Sequence, residues 1–288
     1  MPGAAAFCCK VCSIGRPSMT PSQHPPAGKP ANTGAPPMRR RWPESCDTGP
    51  FDVAATAPRS RRFHRKEISM SLDYLSFDTD RGPLPYLYGA PARPSANAPL
   101  LVFLHGGRDR GDDLNLLLRW SPPKQVAATP DRVHHFIAPQ LPADAAWTDR
   151  PGDVLDLIDD VVATRGIDPR RVVLAGFSLG AAAAWQLAAD HPDRFAGLAV
   201  ASGRVPRGLP LESLARTPTW VFHGGHDDKL PHADVEAHVA DLRARGGRVD
   251  YTLYPQGNHF ISEQAFVDSG FAPWLLARVR RAEEPLAA

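Results

Sequence analysis

Residues 176–180 read Gly-Phe-Ser-Leu-Gly and join two segments of different character. Ahead of them lies Arg171-Val172-Val173-Leu174-Ala175, aliphatic and β-branched, the composition of a strand buried on both faces. Behind them lies Ala181-Ala182-Ala183-Ala184-Trp185-Gln186-Leu187-Ala188-Ala189, built almost wholly of good helix formers. A serine flanked at two residues' distance by glycines, between a strand and a helix, is the pattern of a nucleophile elbow. The turn is so tight that its flanks tolerate almost no side chain, hence Gly176 and Gly180. Ser178 is thereby lifted above the sheet, beside a helix N-terminus whose free N–H groups can face an anion.

A serine hydroxyl is a weak nucleophile, so the elbow predicts a base and a carboxylate that orients it. Both follow in the chain, each just past an apolar run. Thr219-Trp220-Val221-Phe222-His223-Gly224 leads into Gly225-His226-Asp227-Asp228-Lys229-Leu230-Pro231. Val249-Asp250-Tyr251-Thr252-Leu253-Tyr254 leads into Gly257-Asn258-His259. The chain order serine, acid, histidine therefore assigns Ser178, Asp227 and His259 as the catalytic set. Asp228 competes for the acid position, and the H-G-x-x-D-x-x-φ-P pattern favours Asp227. The tetrahedral intermediate of acyl transfer needs two fixed backbone donors. The N–H of Leu179, next after the serine, is one candidate. Gly107, in the loop after Leu104, is the other, with His105 bracing that loop. His134, His191, His232 and His238 read as surface or helix-end residues.

Charge and cysteine usage divide the 288-residue chain near residue 70. Residues 1–70 hold eleven Lys/Arg against four Asp/Glu, about +7 of a total of +2, so the remainder is acidic. The basic excess thus belongs to this leader and gives no nucleic-acid surface on the domain. Eleven prolines and no apolar period predict that residues 1–70 build no packed core. Met70 is a candidate start of the native protein, because patterned sequence begins at Leu72. Cys8, Cys9, Cys12 and Cys46 all lie in the leader. A domain free of cysteine suits a reducing, cytoplasmic setting. A single C-x-x-C without a second pair is a poor zinc site, and there is no HExxH, so neither metal nor cofactor is expected. No run is long and apolar enough to span a membrane.

From residue 71 to about 282 strand patterns alternate with helical ones. An edge pair is expected at 71–78 and 85–89, with buried strands at 100–104 and 135–139. Further strands follow at 171–175, 198–202, 219–224 and 249–254. Helices are expected at 154–162, 181–189, 235–245 and 264–280, and residues 283–288 form a tail. The result is an α/β fold with a mostly parallel, twisted sheet wrapped on both faces. The short interval between Ser202 and Thr219 leaves no room for a cap domain, so the site is expected to be an open cleft.

Several segments resemble known families. His105-Gly106-Gly107-Arg108-Asp109-Arg110-Gly111-Asp112-Asp113 is similar to the H-G-x-G-[ED]-R-G-D-D loop of esterases and peptidases grouped with polyhydroxybutyrate depolymerases. Ala138-Pro139-Gln140 followed by Trp147 resembles their A-P-Q…W segment. Ile167-Asp168-Pro169-Arg170-Arg171-Val172, His191-Pro192-Asp193-Arg194-Phe195 and Tyr254-Pro255 are shared with them and with the phospholipase/carboxylesterase, dienelactone-hydrolase-like group. The resemblance covers about residues 98–280. It implies an α/β-hydrolase fold, Ser178, Asp227 and His259 as triad, and Gly107 and Leu179 as oxyanion donors. Two positions depart from the pattern: Arg108 replaces a glycine, and Ala181 replaces the usual glycine after the elbow. Arg108 can favour an anionic acyl or leaving group.

The expected activity is hydrolysis of small-molecule carboxylic esters, with small to medium acyl groups, through an acyl-enzyme. A peptidase or thioesterase of the same fold, or a catalytically silent binding module, is the alternative.

Overall fold

The computed structural model describes residues 60–62 and 72–280. The cysteines, Met70 and the tail lie outside the described residues, as does all of the leader except 60–62. Those three form β1 (Ser60–Arg62), which pairs antiparallel with β2 (Asp73–Thr79). The leader expectation did not include a strand there, because three residues are too few to display an alternating period. β2 turns through Gly82, at φ 95°, into β3 (Gly82–Gly89). β4 (Leu100–Leu104) follows, then α1 (Pro123–Ala128) and β5 (His135–Pro139). Next come α2 (Pro151–Arg165), β6 (Val172–Phe177), α3 (Leu179–Asp190) and β7 (Gly197–Ala201). The chain continues through α4 (Leu211–Leu214), β8 (Thr219–Gly224), α5 (His232–Ala244) and β9 (Val249–Tyr254) to α6 (Phe271–Leu276).

The nine strands form one sheet in the order β1-β2-β3-β5-β4-β6-β7-β8-β9. The first three are antiparallel, and β3 meets β5 antiparallel. From β5 across to β9 every pairing is parallel. Period-2 alternation decides which helices cover which face. Leu100, Val102 and Leu104 of β4, Val172 and Leu174 of β6, and Leu198 and Val200 of β7 pack with α2, α3 and α5. The alternate residues Leu101, Phe103, Val173, Ala175, Ala199 and Ala201 pack with α1, α6 and the turn before α6. Both faces are therefore sealed, as the continuous apolar runs demand.

Local signals explain the helix limits. Pro151 opens α2 at a position where its missing N–H costs nothing, and Gly166 at φ 64° ends it, its N–H donating to the Val162 carbonyl. The single helix expected over 264–280 is instead a π-turn at Gln264–Asp268 followed by α6, separated by Gly270 at φ 81°. Gly270 takes the left-handed conformation that ends the first segment. Pro273 falls in the first turn of α6, where a proline is tolerated. His134 is also corrected: it is half-buried with Nε2 sealed from solvent, and burial lowers its pKa to about 4.

Trp185 is the largest fully buried side chain, and its indole N–H has no partner among the described residues. Truncation there removes many dispersion contacts, whereas a ring that lacks the N–H leaves no polar atom stranded. Trp185→Ala is expected to destabilise the protein by about 3–5 kcal/mol, and Trp185→Phe by less than about half of that. Denaturant midpoints of the two variants at constant m check this; equal losses would refute it.

Candidate active site

All the candidate residues sit just past the carboxyl ends of the parallel strands β4, β6, β8 and β9, where open α/β sheets gather their ligands. At the end of β6 Ser178 adopts φ 53° and ψ −110°, a conformation rare for a residue with a side chain. Glycine is obligatory on either side of it. A Cβ on Gly176 would lie 2.4 Å from the Gly180 carbonyl oxygen, and one on Gly180 would lie 1.9 Å from that of Leu104. The Ser178 N–H donates to the Ala201 carbonyl at 2.9 Å, tying the turn to β7. Ala181, the departure from the family pattern, is accommodated because residue 203 is glycine. A Cβ there would stand 2.2 Å from that of Ala181.

The structure brings Ser178, His259 and Asp227 together. His259 Nε2 lies 2.9 Å from Ser178 Oγ, and His259 Nδ1 lies 2.8 Å from Asp227 Oδ2. An ionised carboxylate only accepts, so Nδ1 carries the proton and Nε2 is left to accept from the serine hydroxyl. Asp227 is buried and bonded to His259, whereas Asp228 is exposed. Burial pushes the Asp227 carboxyl up, but the N–H of Leu230, the His259 ring and the N–H of Lys229 outweigh it and hold the carboxyl below its usual range. Both N–H groups donate to Oδ1 at 2.9 Å. The acid and histidine loops are laced together by main chain: the Gly225 N–H donates to the Tyr254 carbonyl, and the His226 N–H to that of Gly257.

His223, which the sequence placed only as a motif residue, supports the acid loop from below. Its buried Nε2 lies 2.8 Å from the Leu230 carbonyl and 3.3 Å from Asp227 Oδ2. Since a carbonyl only accepts, Nε2 carries the proton. A spacing of four residues between His223 and Asp227 was the available signal, but it reads equally as a strand end.

Gly107 opens a single 3-10 turn, Gly107–Asp109, and Leu179 opens α3, so neither N–H has an acceptor within its own turn. The two positions face each other: a Cβ on Gly107 would lie 4.0 Å from Leu179 Cδ2. The Gly107 loop is pinned by the segments that accompany it in the sequence. The Leu141 N–H donates to His105 Nε2 at 3.0 Å, and the protonated Nδ1 donates to the Gly106 carbonyl at 2.7 Å. Trp147 Nε1 donates to the His105 carbonyl, and Gln140 Nε2 to the carbonyls of Asp109 and Asp113. Burial, reinforced by the nearby Arg110 cation against the Gly106 hydrogen bond, lowers the His105 pKa to about 4, so the ring is a neutral brace. Among the described residues no group of three His, Cys, Asp or Glu could hold a metal ion, and no helix is long and apolar enough to cross a membrane.

A strained serine after a central strand of an open, mostly parallel sheet, with helices on both faces, defines the α/β-hydrolase fold. The profile of the phospholipase/carboxylesterase family matches residues 144–269. The chain is 28% identical over 166 residues to NocK of Nocardia uniformis subsp. tsuyamanensis, named as an esterase, covering 55% of this chain and 48% of that one. It is 26% identical over 210 residues to an Arabidopsis thaliana protein named as a carboxylesterase, covering 68% and 78%. A poly(3-hydroxyalkanoate) depolymerase of Paucimonas lemoignei is 29% identical over 191 residues, covering 61% and 42%. The chain thus spans about half the length, or less, of the Nocardia and Paucimonas relatives. The crystal structure of a thermostable esterase superposes with a TM-score of 0.61 at 24% identity, covering 73% of this chain and 64% of that one. The chain has the fold of the α/β hydrolases.

Asp109 gives this site a testable pH dependence. Its side chain is buried with Oδ1 unpartnered among the described residues, and burial, partly offset by Arg119 and Arg108, raises its pKa from 3.8 to about 6. Between those values the folded state binds more protons than the unfolded, so this group makes stability fall as pH rises, with the full deficit above pH 6. Asp109→Asn is expected to raise the melting temperature at pH 7–8, with the gain shrinking below pH 6 and gone near pH 4. Thermal unfolding of both proteins across that range checks it, and a gain independent of pH would exclude the titration as its source.

Proposed function

We propose that the protein is a carboxylesterase-type serine hydrolase whose activity resides in residues 71–282 and which acts on small-molecule esters in the cytoplasm. The observation that carries this reading is the bridge of His259 between Ser178 Oγ and Asp227, at 2.9 and 2.8 Å. In the reaction Ser178 Oγ attacks the ester carbonyl as its proton passes to His259 Nε2. Asp227 holds the imidazole in the required tautomer and stabilises the imidazolium. The N–H groups of Gly107 and Leu179 receive the charge that develops on the carbonyl oxygen. His259 then gives its proton to the leaving alkoxide as the C–O bond breaks. A water deprotonated by His259 attacks the acyl-enzyme, and the proton returns to Ser178 as the acid departs.

Between β7 and β8 the chain carries only the four-residue α4 and no cap domain. The proposed substrates carry small to medium acyl groups, bound at an open cleft. The names of the Nocardia and Arabidopsis relatives support ester chemistry over amide chemistry.

Hydrolysis of p-nitrophenyl esters from acetyl to lauroyl tests the proposal. Wild type is expected to turn over the shorter members, and Ser178→Ala to lose roughly 10³–10⁶-fold in kcat/KM with its circular dichroism unchanged. Retention of activity in that variant would refute the serine mechanism.

A further inference from the structure

Three loops converge on the site, and each carries a second feature beside its catalytic group. Arg108 directly follows Gly107, Lys229 lies two residues after Asp227, and Phe260 directly follows His259. The structure gathers these three extra residues at one spot. Arg108 Cζ stands 5.1 Å from the centroid of the Phe260 ring, and Lys229 Nζ stands 4.5 Å from the same centroid. The two cations are therefore less than 10 Å apart. Phe260 is itself fixed by stacking on Trp120, with centroids 5.6 Å apart, and by the edge of the His259 ring at 5.4 Å.

Both cations are exposed, and neither forms an ion pair among the described residues. The neighbouring carboxylates do not neutralise them. Asp227 is committed to His259 and to two N–H groups, and Asp109, though near enough to feel the Arg108 charge, makes no ion pair with it among the described residues. Asp228 is exposed beside Lys229 without an ion pair to it. An aromatic face attracts each cation but leaves its N–H donors free. Two unneutralised positive charges held over one ring, next to the catalytic histidine, form a receptor for an anion. The planar guanidinium of Arg108 can take a carboxylate through two parallel hydrogen bonds, while Lys229 adds a point charge.

Resting on the serine-hydrolase reading above, we infer that Arg108 and Lys229 select esters bearing a second, anionic carboxylate, held over Phe260 while the ester carbonyl meets Ser178. The substrate class is a half-ester of a dicarboxylic acid, or an ester whose leaving alcohol carries the carboxylate. Arg108 and Lys229 are specificity-determining residues, and the arginine that departs from the family pattern acquires a function.

The test compares matched anionic and neutral esters. p-Nitrophenyl hemisuccinate against p-nitrophenyl butyrate places the charge on the acyl side. 3-Acetoxybenzoate against phenyl acetate places it on the leaving side. Wild type is expected to favour the anionic member of at least one pair in kcat/KM, chiefly through KM. In Arg108→Gln and Lys229→Gln the anionic-to-neutral ratio should fall about tenfold each, and in Arg108→Glu further, with the same loss in wild type at 0.5 M salt. Ratios unchanged by all three substitutions would overturn the inference while leaving the esterase reading intact. Should wild type hydrolyse none of these esters, the esterase reading falls instead. The inference is then decided by calorimetry of Ser178→Ala with monomethyl succinate and methyl butyrate: tighter binding of the anion, lost on Arg108→Gln, sustains it, and equal binding rejects it.

Discussion

The approach of α3 to the end of β4 is the constraint on which the site depends. The Leu104 carbonyl occupies the space in which any side chain at residue 180 would have to begin. Because residue 180 is glycine, the helix can seat its first turn directly against β4, and the chain between β6 and α3 must reverse within one residue. Ser178 takes up the reversal at positive φ, a strain of about 1–3 kcal/mol that an isolated turn would relax. It persists because α3 is anchored by Ala181, Ala184, Trp185 and Ala188, all buried in the core behind the sheet. The same contact sets the position of Gly107, three residues beyond Leu104, so the Ser178 turn and the Gly107 loop share one origin.

The loops around this contact are fixed by polar lacing as well as by buried apolar residues such as Leu141, Trp147 and Ile261. His105, within the Gly107 loop, accepts from the Leu141 N–H, while Gln140 and Trp147, from the segment after β5, donate to main-chain carbonyls of that loop. The glycines of the acid loop serve the same end. A Cβ on Gly224 would meet the Asn258 carbonyl at 2.2 Å, and one on Gly225 that of Pro255 at 2.6 Å. The acid and histidine loops can therefore touch along their backbones. A side chain at either glycine would part Asp227 from His259 without altering either residue.

This division between local and distant determinants explains what could be read in advance. The elbow, the strand runs and the order Ser178, Asp227, His259 were legible because each is written in a few adjacent residues and ordered by the topology. The pinning of the Gly107 loop was legible only as co-occurring motifs, since sequence does not show that Gln140 and Trp147 end on one loop. The break in the last helix is written locally, in Gly270 and Pro273. The pairing of Arg108 with Lys229 was not legible. They are 121 positions apart, and only the seating of both loops around Phe260 brings them together.

The way Asp227 is held has a consequence for the chemistry proposed. One of its oxygens is occupied by two backbone donors, and the other faces His259, so the carboxylate has no freedom to rotate. In water a carboxylate beside a newly formed imidazolium would have to reorient, and its solvent with it. Here the negative charge already points at Nδ1 before the proton arrives at Nε2, and no reorganisation accompanies the transfer. His223 extends this order one layer further, because its N–H holds the Leu230 carbonyl, and the Leu230 N–H is one of the two donors on Asp227. The direction of the carboxylate is thus set by a backbone segment clamped at both ends, which an exposed acid at position 228 could not share.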